Sequence, residues 1–520
     1  MKIERTKNAV RNIGSGFVLK LYQMVVSFVM RSVMINSLGV QYLGLNSLFT
    51  SVLQVLNLAE LGVGSAMVYS MYKPIAEDDE TTICALMKLY RLYYRVIGLV
   101  IAIAGGLITP FIPKLISGDV PDGINIYTLY LLNLSATVLS YWLFAYKNSI
   151  LQTHQRADVA NKVLLITNTL QYGLQLIVLL VFKNYYYYVI VILATQVMTN
   201  VITAVAANKL YPHYKPKGKI DAASVKQINR KIKDLFTAKI GAIIYDSADT
   251  IVISAFLGLT ALAIYQNYFY VLSAVTVFIA IVFSACTAGI GNSLVVETKE
   301  KNFSDFNKFT MIICWIAGFA SACMLCIYQP FMELWVGDEL MFSFSAVICF
   351  VVYFFARQLN SLYNLYKDAA GMWHEDRFRP LVAALMNLGL NLVLVNFIGI
   401  YGILISTVTA IICVGMPWLL NNLFTVIFER KHMLAYIKKL FLYILTIVFS
   451  CVVTYFICSM ISFGLIATIL IRGCICLIVP NVIYCFVFRK TTEFQNILVM
   501  ADKITNGRFK KVFRLLGYRR

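Results

Sequence analysis

Long apolar stretches separated by short polar ones run through the whole 520-residue chain. Fourteen of them fall at roughly 13–36, 43–71, 92–116, 125–146, 163–182, 185–208, 235–257, 267–293, 307–331, 343–366, 380–398, 400–427, 436–458 and 462–488. A helix of about 20 such residues crosses the ~30 Å of hydrocarbon in a bilayer. The pattern predicts an all-α polytopic membrane protein with about fourteen transmembrane helices. No polar stretch is long enough to bury a core of its own, so no soluble domain is expected.

Composition sharpens this picture. The chain is 60% hydrophobic and 13% charged, with a mean hydropathy of +0.75, far from the charge content of a soluble surface. A net charge of +20 would suggest a nucleic-acid partner in a soluble protein. Its placement points elsewhere, and no nucleic acid is expected. Of the 45 Lys and Arg, 38 fall in segments 2–11, 73–95, 147–162, 209–233, 299–308, 367–379, 430–439 and from 489 onward. The loops between them on the other side hold only Lys114 and Lys183. This asymmetry predicts an even number of spans with both termini in the cytoplasm, and the chain is expected in an inner membrane. The first span contains Lys20 and Arg31 and is too long for a cleaved signal sequence.

The chain also repeats itself. Leu38 to Phe49 reads LGVQYLGLNSLF, and Leu257 to Phe269 reads LGLTALAIYQNYF; the two Leu-Gly pairs lie 219 residues apart. The same offset carries Lys20 onto Lys239. An offset of 220 carries Tyr146-Lys147 onto Tyr366-Lys367 and His154 onto His374. Six spans separate the copies, so both halves face the same way. The expected organisation is an N-lobe over 1–218, a C-lobe over 219–435, an added helix pair over 436–488 and a basic amphipathic cytoplasmic tail over 489–520. The two lobes are parallel six-helix bundles, and the long basic segment 209–233 connects them.

Ionisable groups at mid-membrane cost at least ~2.5–3.5 kcal/mol each, so they mark cavities or pairs. Lys20, Arg31, Lys239, Arg357 and Arg472 stand against Glu60, Asp246 and Asp249. Lys20 and Arg31 are eleven residues apart and share a helix face; so do Lys239 and Asp246, seven apart, with Asp249 one turn on. Lys239 with Asp246 can be read as a buried structural pair. Lys20, Arg31 and Arg357 have no acidic residue on their own face, and they are candidates to line a cavity that accepts an anion. Guanidinium suits phosphate because its planar fork donates two parallel hydrogen bonds. Arg472, near a helix end, reads as a snorkelling residue. Polar stripes accompany these charges: Gln54, Asn57 and Glu60 on the second span, Asn168, Gln171 and Gln175 on the fifth, and Arg357, Asn360, Ser361 and Asn364 on the tenth.

Other features are structural. Eleven of twelve Cys lie within apolar spans and Cys84 borders one, against a disulfide framework. Cys323-x-x-Cys326 and Cys474-x-Cys476 read as small packing residues. The four His lie in polar loops, so no buried metal cluster is expected. Gly14-x-Gly16, Gly62-x-Gly64 and Gly289-x-Gly291 lack the strand and the Lys-Ser/Thr of a nucleotide loop and read as close-approach positions between helices. With no such loop, ATP hydrolysis by the chain itself is not expected. Phe494, Ile497, Leu498, Ala501 and Ile504 form the apolar face of a helix suited to the inner leaflet, followed by the basic stretch 508–520.

Several segments together resemble a known group: Asn12-Ile13-Gly14 after a basic start, Leu38-Gly39 with Tyr42-Leu43-Gly44, and Asn57 to Gly62 followed by Ser65-Ala66. Asp249 followed by Ile251 to Ser254, Phe256-Leu257-Gly258 and Ile264-Tyr265 completes the pattern. The whole chain resembles bacterial polysaccharide and O-antigen flippases of the Wzx type, in the multidrug/oligosaccharidyl-lipid/polysaccharide exporter superfamily. The resemblance implies a V-shaped pair of lobes, alternating access, and a polyprenyl-diphosphate-linked oligosaccharide moved to the outer leaflet for capsule or O-antigen assembly. It also implies membrane lipids and other polysaccharide-assembly proteins as partners. No cofactor is implied beyond a coupling ion, proton or sodium, carried by Glu60, Asp246 or Asp249. Lys20, Arg31, Lys239 and Arg357 are the implied contacts to diphosphate or acidic sugars. Rival readings are a cation-coupled drug exporter of the same superfamily, a lipid II flippase, and a membrane glycan polymerase or ligase. The longest outer loop, 110–124, is short for an enzyme's chemistry.

Overall fold

The computed structural model describes residues 5–60, 62–118, 120–121 and 123–504, and every regular element among them is a helix. Eleven helices are long and apolar enough to cross a membrane, or twelve if the segment 126–153, bent by 46°, is one span. The expected fourteen differ from these at two places, each with a local cause. The stretch 43–71 is divided into α2 (Val40–Leu56) and α3 (Val63–Ala76) by a 3-10 turn over Asn57–Glu60 and a left-handed Gly62. The stretches 235–257 and 267–293 are counted together within α9 (Ala222–Val296), in which two helices meet at the non-helical Gly258.

The chain forms two compact units, divided between Ala263 and Ile264. The first contains α1 (Arg5–Leu38), α2, α3, α4 (Glu80–Ile108), α5 (Ile126–Trp142), α6 (Asn148–Thr153), α7 (Ala157–Ile177), α8 (Tyr185–Leu210) and α9 as far as Ala263. Here α1 packs on α2 and α7, α5 lies against α4 and α8, and α3 rests on α4 and α6. The start of α1 is pinned by buried Asp158, which accepts from Arg11 Nη2 at 2.7 Å and from Arg156 Nε at 2.9 Å. Asn12 reinforces the joint by accepting from the Asp158 amide at 2.8 Å and donating to Gln155 O at 3.0 Å.

The repeat has a backbone counterpart. Gly39, which opens α2, has φ 110° and ψ 161°; Gly258 interrupts α9 with φ 86° and ψ 176°. Both lie in a region of conformational space that is essentially open to glycine alone. Near the second break the chains run close. A Cβ on Gly258 would sit 2.8 Å from Ser117 O, and one on Gly44 only 2.2 Å from Leu259 O. The Tyr-Lys pairs correspond as well: Tyr146, Lys147, Tyr366 and Lys367 are all buried. The His pair diverges, since His154 is buried and His374 exposed.

The second unit continues with α10 (Lys299–Val336), α11 (Phe344–Ala369), α12 (Arg379–Ile398), α13 (Ile400–Ala410), α14 (Met416–Val426), α15 (Met433–Ser459), α16 (Leu465–Phe488) and α17 (Thr492–Ile504). A π-helical turn joins α13 to α14 in one span, as another extends α7 in the first unit. The core gathers Phe306, Tyr363, Tyr366, Phe424, Phe428 and Tyr436 from α10, α11, α14, the turn beyond it, and α15. Buried hydroxyls need partners in this apolar setting; Tyr436 donates to Tyr363 at 3.1 Å and bonds Thr310 at 3.2 Å. The helix pair α15–α16 packs on α10, where Trp315 donates to Asn481 at 2.7 Å. Phe494 of α17 stacks on Trp315 at 5.7 Å, and a Lys439–Glu493 ion pair fixes the same helix. Two of the apolar positions of the tail, Phe494 and Leu498, are thereby buried against protein. The basic stretch 508–520 lies outside the described residues.

Candidate functional site

The break between α2 and α3 builds a site. A helix interrupted at membrane depth leaves backbone groups unpaired, which is tolerated where protein buries them or a cavity is lined. Glu60 closes the 3-10 turn, and Gly62, at φ 87° and ψ −21°, lets α3 start in a new direction. Gly64 then leaves room for the carboxylate: a Cβ there would lie 3.1 Å from both Glu60 Oε1 and the Tyr90 hydroxyl. Gly62 thus makes a turn instead of a helix contact, while Gly64 is a close-approach position against the Tyr90 and Tyr94 hydroxyls of α4.

Two tyrosines one turn apart on α4 complete the arrangement. Tyr90 donates to the Tyr94 hydroxyl at 2.6 Å, and Tyr94 donates to Glu60 Oε1 at 3.1 Å. Tyr141 packs edge-on against Tyr94, with centroids 5.3 Å apart. From α9, Lys239 Nζ donates to Ser65 Oγ at 3.4 Å and is close enough to attract Glu60 electrostatically. Glu60, Ser65, Tyr90 and Tyr94 line a cavity of about 470 Å³ together with Tyr69, Tyr72, Asn148 and Gln152, and Lys239 reaches its edge through Ser65. Tyr69 and Tyr72 are exposed, and Lys231 Nζ stands 4.2 Å from the Tyr69 ring centroid. The cavity therefore offers one carboxylate, aromatic faces and side-chain amides, with two ammonium groups held at its edge on Ser65 and Tyr69, which is a set suited to a polar, charged ligand with some apolar surface.

The other sequence-derived residues are distributed along the helices. Lys20 is exposed on α1. Arg31, on the same face, is half-buried and close enough to Tyr188 of α8 to interact with it electrostatically. Asp249 is buried in α9; the Asp246 side chain lies outside the described residues. Arg357 belongs to the second unit, where its Nη1 donates to the Tyr353 hydroxyl at 2.5 Å. Its stripe continues through Asn364, which accepts from Arg379 at 2.9 Å. Of the predicted residues, the described geometry brings together Glu60, which lines the cavity, and Lys239, which bonds Ser65 at its edge. Sequence reasoning paired Lys239 with Asp246 and did not single out Tyr69, Tyr72, Tyr90 or Tyr94. The Tyr90-x-x-x-Tyr94 spacing, opposite a carboxylate on the preceding span, was the available signal.

Arg472 does more than snorkel: Nη1 and Nη2 donate to Cys326 O and Ile461 O, both at 3.1 Å.

Solved membrane transporters share this fold. The lipid II flippase MurJ, in an inward closed conformation, superposes over 91% of this chain and 98% of its own, with a TM-score of 0.62 at 15% identity. An inward-facing multidrug resistance MATE transporter of the MOP superfamily gives a TM-score of 0.61 at 15% identity, over 80% of this chain and 96% of that one. A MOP superfamily transporter from Pyrococcus furiosus, described as having a binding pocket of reverse polarity, gives 0.53 at 14% identity over 83% and 96%. No family model and no curated protein matches the sequence. The chain is a multi-pass membrane protein with the fold of the MurJ and MATE transporters.

Proposed function

We propose that this protein is a flippase that moves polyprenyl-diphosphate-linked oligosaccharide units from the cytoplasmic to the outer leaflet of a bacterial inner membrane. It works by alternating access and serves cell-surface polysaccharide biosynthesis, beside other polysaccharide-assembly proteins. The observation that carries this reading is the cavity lined by exposed Tyr69 and Tyr72 and the amides of Asn148 and Gln152, with Lys239 on its Ser65 and Lys231 over its Tyr69. Ammonium groups offset the desolvation of a diphosphate, aromatic rings cover the C–H faces of sugars, and amides pair with sugar hydroxyls. The fold shared with a lipid II flippase supports a lipid-linked substrate. The basic bias of alternate loops supports the inner membrane with both termini cytoplasmic. Lys20, Arg31 and Arg357 contribute further cationic contacts along the path. Glu60, among the candidates Glu60, Asp246 and Asp249, carries the coupling proton or sodium ion, a reading supported by its place in the cavity lining and its bond from Tyr94.

The same carboxylate among tyrosines favours a second reading, a cation-coupled multidrug exporter, since organic cations seek acidic and aromatic surroundings. Proteoliposomes distinguish the two. A polyprenyl-diphosphate oligosaccharide is supplied with a membrane-impermeant reagent that modifies outward sugar, and ethidium flux is followed in parallel. Sugar flipping without dye flux, reduced by Lys239→Ala, is expected. Dye flux without sugar flipping transfers the protein to the exporters.

A further inference from the structure

In the second unit, Cys326 of α10, Cys458 at the end of α15 and Cys476 of α16 come from three helices and place their Sγ atoms within 4.8 Å of one another. All three are fully buried. Cys323, one turn before Cys326, packs at the edge of this cluster. Thiols this close share a volume that one soft metal ion would fill, and thiolate sulfur selects soft d10 ions. Zinc in structural sites takes four ligands; three sulfurs with a fourth only at the margin suit cuprous copper.

Charge supports a cation there. Arg472 lies one turn before Cys476, and its guanidinium donates to Cys326 O and Ile461 O. Its Nε–H is buried and has no partner among the described residues. A guanidinium held beside three neutral thiols gains nothing from them, whereas beside ionised sulfur it balances charge and finds an acceptor for that N–H. We infer that Cys326, Cys458 and Cys476 form a trigonal site for one Cu(I) ion, with Arg472 as its counter-charge, clamping α15 and α16 to α10. On binding, two thiols release their protons as two copper–thiolate bonds form. The third sulfur completes the set as a thiol. The centre then carries one negative charge, which Arg472 offsets. No electron is transferred, because the ion enters and stays as Cu(I).

The test uses the full-length protein in detergent, reduced and kept free of oxygen, titrated with Cu(I) against a chromophoric Cu(I) chelator, with Zn(II) in parallel. One Cu(I) per chain is expected, held by about three sulfurs in X-ray absorption and raising the unfolding temperature. Affinity should fall by about a hundredfold per unit of acidification if two protons leave. Cys458→Ser and Cys476→Ser, checked for folding by gel filtration and melting, should lose the ion. Cys474→Ser, at an exposed position on the same helix, should retain it. Retention by folded Cys458→Ser, or no Cu(I) bound by the folded parent protein, overturns the site. Tighter Zn(II) binding that depends on Cys323 overturns the cuprous assignment. A metal-free protein that loses two thiols on mild oxidation, and regains them on reduction, shows a disulfide there instead and also overturns it.

Discussion

Gly39 and Gly258, 219 residues apart, turn the backbone in nearly the same way, at φ 110°, ψ 161° and φ 86°, ψ 176°. Each follows a Leu at the end of a basic-containing helix. The match shows that the repeated Leu-Gly marks a repeated change of direction, and it gives the first prediction. A side chain in this region costs of order 1–3 kcal/mol. Gly39→Ala should lose about that much, since nothing lies within 4 Å of its added Cβ. Gly258→Ala should lose more, because Ser117 O stands 2.8 Å away. Gly106→Ala, at an open helical position, should be neutral or slightly stabilising. Thermal unfolding in detergent would rank the three.

Lys239 and Glu60 are expected to separate binding from coupling. A hydrogen bond to a charged group contributes roughly 1.5–3 kcal/mol, so Lys239→Ala should weaken binding of a polyprenyl-diphosphate ligand about tenfold or more. Glu60→Gln should leave equilibrium binding largely intact and abolish the dependence of transport on an imposed ion gradient. Ligand titration and gradient-driven flux would measure the two effects. Equal loss of binding in both variants would contradict the division of roles.

Asp158 is the joint on which the start of α1 depends. Asp158→Asn leaves Arg11 and Arg156 without their buried carboxylate. Both cations are partly solvated, so the expected loss is about 1–3 kcal/mol, below that of a fully buried pair. Limited proteolysis should cut residues near Arg11 faster in the variant, with cleavage elsewhere unchanged.

His154 should make the first unit sensitive to acid. Its ring stacks on Tyr211 at 4.1 Å, and Nδ1–H donates to Ile150 O at 2.9 Å. Burial holds its pKa below the ordinary 6.5, the backbone acceptor opposing this in part. The unfolded chain therefore binds the proton more readily, and stability rises with pH between the two values. The stability contribution is complete above pH 6.5 and is lost as the pH falls through the folded value. His154→Gln should remove that part of the slope in a melting-temperature profile between about pH 4 and 8.

Most of the architecture was legible because hydropathy over twenty residues reports burial in lipid directly. Where it failed, the cause was local backbone geometry. The segment 43–71 is apolar enough to read as a span, yet Gly62 adopts a left-handed conformation that no hydropathy average registers. The site was half legible for a related reason. Glu60 and Lys239 announce themselves as charges in apolar surroundings. Tyr90 and Tyr94 are ordinary residues of a membrane helix until the break turns a carboxylate toward them. Cys323-x-x-Cys326 and Cys474-x-Cys476 were visible as pairs, but only the packing of α15 adds Cys458, 132 residues after Cys326.

The interruption at Asn57–Gly62 also bears on how the chain is made. A translocon releases a helix sideways according to its continuous apolar length, and charged residues count heavily against release. The first helix and α4 meet that requirement, while neither α2 nor α3 does so alone. During synthesis the region between Val40 and Ala76 has to enter the bilayer as the middle of a three-part unit, held by the helices on either side. Glu60 gains its tyrosine partner only once α4 has been made, since Tyr94 follows it by 34 residues.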